Sequence, residues 1–281
     1  MSPTKTILIF AIPFAIVIAG VVLFVLPRWT ASPSDPTERI DQLKSTGSCA
    51  GCDLRQAYVR NLALDEPDLS GANLIDADFK YANFTNADFR GANMQRAQIE
   101  DSDLPGADFS AAKLGNADLE KSRLAGANFT DAQMRHADLA EIDAPDAVFN
   151  NADMRDAFIN RANLSGSQFR DANLGGANLE RTSVENGDLT GADFANADLD
   201  RLDAMNATFD GADLSSARLT HADLTGATFG NARLNDAVLQ RSNISGADLS
   251  AVRGLTAAML TTVCGNSDTK LPSGLSVATC N

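Results

Sequence analysis

The chain is 281 residues long, 44% hydrophobic and 21% charged, with a formal net charge of −14. Apolar content at that level excludes a chain too polar to fold. The excess of acids makes a poor match for nucleic acid, which is gripped through Lys and Arg, and leaves a basic partner or simple solubility as its use.

In chain order, residues 7–26 come first, twenty residues without a charge. That length crosses a bilayer as a helix. Pro13 and Gly20 are tolerable inside such a span, and Arg28 and Trp29 follow it as interfacial anchors do. A cleaved signal peptide is the rival reading. The run exceeds a usual apolar core for one, and Trp29, three before Ser32, spoils the nearest cleavage site. The expectation is an uncleaved signal anchor over 1–29, a single-pass inner-membrane protein touching the membrane through residues 7–26. Counting Lys and Arg slightly favours a cytoplasmic domain, since Arg28, Arg39 and Lys44 follow the span and only Lys5 precedes it. The cysteines and the short basic leader point outside, and a periplasmic repeat domain is the expectation.

Residues 30–52 read as linker and N-terminal cap. Pro33 and Pro36 stiffen a short tether. A helix is expected next, with Asp35 capping it, Pro36 in its first turn and Glu38 completing the box. Ile40 and Leu43 share a face that would cover the following domain, and Gly47 ends the helix.

From 53 to 253 every fifth residue is large and apolar, and the residue two before it is usually Ala, as in Ala72-Asn73-Leu74 and Ala107-Asp108-Phe109. A period of five drifts off any helix face and would swap sides on a continuous strand. Two residues spaced by two share one side of a short extended segment. If the chain then turns a corner, both point inward at every step. Phe89, Phe109, Phe129, Phe149, Phe169, Phe209 and Phe229 recur every twenty residues, with Leu189 in the gap. Four sides per coil are therefore required, with the phenylalanines stacked about 4.8 Å apart in one column.

This A(D/N)LxX pattern resembles the pentapeptide-repeat family over about 200 residues without insertion. The resemblance implies an all-β fold, a right-handed quadrilateral β-helix of about ten coils, roughly 48 Å long at strand spacing. Such a solenoid needs caps at both ends.

All four cysteines flank the repeats: Cys49 and Cys52 before, Cys264 and Cys280 after. Structural disulfides, reduced structural thiols, and metal or redox work are all open readings. One four-cysteine zinc site is excluded, because the pairs stand at opposite ends of the rod while its ligands must lie about 2.3 Å from the ion. Similar Cys-x-x-Cys leaders precede the first coil in many family members, which suggests capping. Residues 254–281 form the C-terminal cap and tail. A helix is expected over 255–263, with Leu255, Met259 and Leu260 facing the last coil and a Cys264–Cys280 link pinning the tail.

The repeat breaks its own rule in places. Ile142 and Ala144 reverse the small–large order, as do Leu202 and Ala204 three coils later. Between residues 57 and 247 the remaining non-Ala partner positions (Leu62, Pro67, Ser102, Ser122, Ser167, Thr182, Gly187 and Ser242) fall, like these, on two adjacent faces. Different turns on the two pairs of faces, the strict-Ala pair the tighter, would account for this, with a shaped binding face as the functional alternative. Asp68, Asp88 and Asp108 stack in one column and could draw a basic group or a cation, although solvation and the turn preference of Asp explain them equally well.

No catalytic constellation is present. His136 and His221 take the same outward offset on different faces, the glycines are scattered through corners, and a filled core leaves no pocket. The reading is a non-enzyme with no cofactor, no metal and no nucleic acid, a membrane-tethered scaffold for an unknown protein partner. Homodimerisation is open, since end-to-end pairing through the cap is what the resemblance implies. Two alternatives stand beside it. One is a DNA mimic acting on DNA gyrase, as some pentapeptide-repeat proteins do. The other is a redox or metal-handling protein using Cys49 and Cys52.

Overall fold

A computed structural model describes residues 15–18, 21–24 and 36–280. Two compact units separate at residue 35. In the first, β1 (Ala15–Ile18) and β2 (Val21–Phe24) pair antiparallel, with Ala15 opposite Phe24 and Ile18 opposite Val21. This corrects the helix expected over 7–26 for the residues described; the rest of that stretch, with Lys5, Arg28, Trp29 and Asp35, lies outside them. The local reason is composition: Ile16, Val17, Ile18, Val21 and Val22 are β-branched, and two residues separate the strands. No helix among the described residues is long and apolar enough to cross a membrane.

The second unit opens with α1 (Pro36–Thr46), whose acid Glu38 sits in the first turn and whose Lys44 sits in the last. Gly47, at φ +72°, ends it by donating its N–H to the Leu43 carbonyl at 2.9 Å. Leu43 is fully buried and Ile40 packs beside it, so the helix closes the open end of the first coil.

From Ser48 to Arg253 each outward residue bridges the one twenty positions later in parallel, from Ser48 with Asp68 through to Arg233 with Arg253. Leu74 N–H donates to the Asn93 carbonyl at 2.7 Å, and Asn93 N–H donates back to Ala72 at 2.8 Å; this pattern repeats along the unit. Only β3 (Ala63–Asp65) and β4 (Asn83–Thr85) extend pairing beyond single bridges within the coils. The core column is real stacking: Phe89, Phe109, Phe129, Phe149 and Phe169 lie 4.7 to 4.9 Å apart with planes within 6°. Phe209 and Phe229 resume it at 5.0 Å beyond Leu189. Aromatics on neighbouring sides of one coil also meet, as Phe79 does Phe84 edge-on at 5.7 Å, a contact that the period did not announce.

The corners share a left-handed residue on all four sides but close more tightly into the strict-Ala faces, where the closing bonds run from 2.9 to 3.2 Å against 2.9 to 3.4 Å into the other two. Every fifth residue from 51 to 246 has φ between 51° and 73°, whichever side it leads into. In the prevailing pattern a corner closes with the partner-position N–H donating to the core-residue carbonyl three before it, Ala92 to Phe89 at 2.9 Å for example, the pattern of a type II turn. What else sets the two irregular faces apart lies inside. Buried hydroxyls reach across coils: Ser122 Oγ donates to the Ile99 carbonyl at 2.8 Å, Thr182 to Ile159 at 2.6 Å and Ser242 to Leu219 at 2.8 Å. Ile142, Ala144, Leu202 and Ala204 are all buried, so each reversal shifts bulk sideways while filling the same core.

After 253 the chain makes one looser turn. The helix expected over 255–263 is replaced by successive tight turns, Met259 N–H to Thr256, Leu260 to Ala257 and Val263 to Leu260, each at 3.2 Å. Two forces oppose a helix here. Thr261, Thr262 and Val263 are β-branched, and the ladder captures Cys264 beside Asn243. That bridge spans 21 residues and the next, Asp248 with Lys270, spans 22, so the coil is stretched but unbroken. Leu260 and Val263 enter the core, and β5 (Cys264–Gly265) pairs in parallel with β6 (Ala278–Thr279).

Candidate functional site

The cysteines occupy the two ends. Cys49 bonds Cys52, and Cys264 bonds Cys280. Cys49 stands at a core position, one coil below Leu69, and Cys52 at the partner position below Ala72. Their spacing of three is thus the spacing across a corner, where both side chains point inward; Cys52 N–H also donates to the Cys49 carbonyl at 3.1 Å. The register could have revealed this, because 49 and 52 continue the twenty-residue columns. With 0% and 4% of their surfaces exposed, these cysteines are covered by the first coil and α1, and the sulfurs are not presented to a metal or a redox partner.

The column of seven phenylalanines lies wholly inside and meets no solvent. Chemistry is therefore confined to the lateral surface. The outward Asp and Asn side chains first serve their own corners. Asp88 Oδ1 accepts from the Arg90 backbone N–H at 3.0 Å, and Asp193 accepts from Ala195 at 2.9 Å. Many acids are paired as well: Asp76 with Arg96 at 2.7 Å, Asp213 with Arg233 at 2.7 Å, Asp103 with Arg123 and Asp198 with Arg218. In the Asp68, Asp88, Asp108 column the basic group is already supplied, by Arg90 at 2.5 Å from Asp88 and 4.0 Å from Asp108.

One group gathers three acids that are engaged in the same way, Asp118 Oδ1 accepting from the Glu120 N–H at 3.1 Å and Lys121 pairing with Glu120 at 2.6 Å. Single oxygens of Glu100, Asp118 and Glu120 lie within 4.8 Å of one another, a spacing that suits a metal ion. Lys80 is paired with Glu100 and holds that carboxyl below its usual range. Burial pushes the Asp118 carboxyl up to about 6, with neighbouring Glu100 and Asp138 adding to the rise.

His136 lines a groove of about 400 Å³ with Lys113, Gln133, Arg135 and Asp153. Both Arg135, at 2.7 Å, and Arg155, at 2.8 Å, lean on Asp153. His221 is far along another face, with Nδ1 3.7 Å from Asp200. The structure brings neither histidine to a nucleophile or to the other. Tyr58, Phe158 and Val238 are exposed on one side, as their offset implies, and Tyr81 is exposed at a corner. The exposed corner residues Arg161, Arg181, Arg201, His221 and Arg241 stack on five consecutive coils, outside the column of core residues that carries the repeat.

A family model described as Pentapeptide repeats matches this chain in eight copies, over residues 68–106, 102–140, 147–186, 188–226 and 217–253. Comparison with curated proteins finds no match. Among solved structures, HetL is similar, a pentapeptide repeat protein involved in heterocyst differentiation regulation from the cyanobacterium Nostoc sp. strain PCC 7120. It is 26% identical over 70% of this chain and 92% of its own, with a TM-score of 0.39. QnrB1, a plasmid-mediated fluoroquinolone resistance protein, is 14% identical over 75% of this chain and 92% of its own, with a TM-score of 0.33. Rfr23, a pentapeptide repeat protein from the cyanobacterium Cyanothece 51142, is 15% identical over 84% and 99%, with a TM-score of 0.17.

Proposed function

We propose a function from a plain premise: the chain belongs to the pentapeptide-repeat family, the family of right-handed β-helical solenoids. On that premise the protein is a non-enzymatic scaffold whose lateral faces bind another protein. The observation that carries this reading is the division of labour in the coil. All inward positions are spent on a filled core, and the outward ones form a long regular array of charged side chains. Such an array suits recognition along a surface, whereas a catalytic site gathers convergent groups in a concavity.

The reading includes attachment to a membrane through the uncharged residues 7–26, with the repeat domain on the extracytoplasmic side, where its disulfides would form. Reductant-dependent labelling of the cysteines by a membrane-impermeant thiol reagent, in cells with a permeabilised outer membrane, supports that placement. Labelling only after lysis, with no need of reductant, overturns it. The scaffold itself is tested by photo-crosslinkers placed in turn at Tyr58, Phe158 and Val238 and on the other faces. A discrete adduct from one face is expected, and no adduct from any face would remove the reading.

DNA mimicry ranks second, favoured by the net acidity of the chain. Local pairing of ladder acids with Arg weighs against it, since duplex DNA presents about one unpaired charge per 1.7 Å. Inhibition or protection of purified gyrase by the rod is its test. Burial of both sulfurs in the Cys49–Cys52 bond weighs against redox or metal handling.

A further inference from the structure

The corner position that leads out of the side with outward residues Tyr58 to Val238 breaks with the others. At two of the remaining corners the left-handed backbone is filled almost throughout by Gly, Asn or Asp, the residues that conformation favours. Here, from Lys121 onward, none of the three appears. Arg161, Arg181, Arg201, His221 and Arg241 occupy five successive coils at φ 56° to 62°. Folding alone would place glycine or asparagine there, so side chains that suit the backbone less well point to a use on the surface.

These five side chains form a ridge stepping at the coil spacing, which the phenylalanine stacks set at 4.7 to 5.0 Å. Their ion pairs within the chain are loose and shared. Arg161 is 3.7 Å from Glu141; Arg181 and Arg201 share Glu180 at 3.4 and 3.6 Å; Arg201 and His221 share Asp200 at 3.2 and 3.7 Å. Arg241 makes no ion pair among the described residues, and its backbone N–H is held by Thr262 Oγ1. Each guanidinium carries five donors in a planar fork, so most of that capacity faces outward.

We propose that this ridge docks an acidic amphipathic α-helix of a protein partner, a proposal that rests on the scaffold reading and names its partner class. Carboxylates three and four residues apart on a helix rise about 4.5 to 6.0 Å per step, commensurate with the ridge. The four steps between the five residues of the ridge span roughly 19 Å, the length of about 13 helical residues. Same-side residues of an extended peptide repeat about every 6.8 Å and fall out of step. Duplex DNA would bring its dense phosphates against Glu180 and Asp200, which lie within the ridge.

The test uses the full-length chain and labelled peptides of about 18 residues, long enough to hold a helix in water. One carries Glu along a single helix face, and a second carries the same residues scattered around the helix. Fluorescence anisotropy at low salt should show the aligned peptide binding about tenfold tighter than the scattered one, with the difference fading as salt rises. The variant Arg161→Gly, Arg181→Gly, Arg201→Gly and Arg241→Gly should keep or raise the melting temperature, because glycine suits φ near +60°, and should lose that preference. Equal binding of both peptides, stronger binding of a duplex oligonucleotide, or an unaltered preference in the glycine variant would each overturn the proposal. A face-specific adduct from Tyr58, Phe158 or Val238 surviving in the glycine variant would overturn the ridge while leaving the scaffold standing.

Discussion

Ser122 looks like a lapse from alanine, and at the scale of one residue it is a fastener. Its hydroxyl donates to the Ile99 carbonyl at 2.8 Å and accepts from the Ser102 N–H at 3.1 Å. Ser122→Ala, although it restores the common residue, should destabilise by about 1–3 kcal/mol in urea titration, because it strands a buried N–H. Phe149, stacked at 4.9 and 4.8 Å on Phe129 and Phe169, should cost about 3–5 kcal/mol when cut to Ala. A midpoint near wild type would contradict the packed column. Asp118 supplies a pH test. Its carboxyl is raised by burial to about 6 from 3.8, so the folded state binds that proton more tightly than the unfolded one. The stability it withholds is therefore absent at low pH, grows between about pH 4 and 6, and is complete above 6. Asp118→Asn keeps an acceptor for the Glu120 N–H and should raise the melting temperature at pH 8 but hardly at pH 4.

At the scale of elements, the caps decide where the coil can fray. The Cys264–Cys280 bond closes a loop with a separation of 16 residues. Replacing both by Ser should cost about 3 kcal/mol in the oxidised protein. The Cys49–Cys52 pair closes a single corner and should cost less by the same relation. The Ser250 hydroxyl, and then Lys270 at 3.0 Å, hold the Asp248 carboxyl down at about 2. That contact contributes stability above about pH 4 and loses it as pH falls toward 2, so exchange of the Lys270 amide, which bonds the Ala247 carbonyl, should quicken over that window. The C-terminal cap was the element least legible in the sequence. Leu255, Met259 and Leu260 have helical spacing and do turn toward the core, yet the ladder claims Cys264 and Lys270 and leaves room only for tight turns. The Cys-x-x-Cys leader was legible by register, since 49 and 52 keep the columns of Leu69 and Ala72.

At the scale of the whole molecule, the repeat itself determined most of the structure. A five-residue period with an aromatic every twenty admits only a four-sided coil, because no other path keeps Ala72 and Leu74, then Ala77 and Phe79, all pointing inward. The acidic exterior and the inaccessible interior followed from the same pattern. Tertiary structure decided what one period cannot encode. All four corners share one left-handed residue, and at half of the irregular positions (Ser102, Ser122, Ser167, Thr182 and Ser242) a hydroxyl reaches a carbonyl 23 residues back, a distance meaningful only once coils are stacked. The basic ridge is of the same kind. Arg161, Arg181, Arg201, His221 and Arg241 are twenty residues apart in the chain, and only the closing of each coil brings them within about 5 Å steps on one edge. Sequence order carries short-range preference strongly and long-range adjacency weakly. In this chain the inward residues repeat and could be read directly, while the outward ones vary and acquire neighbours only through the fold.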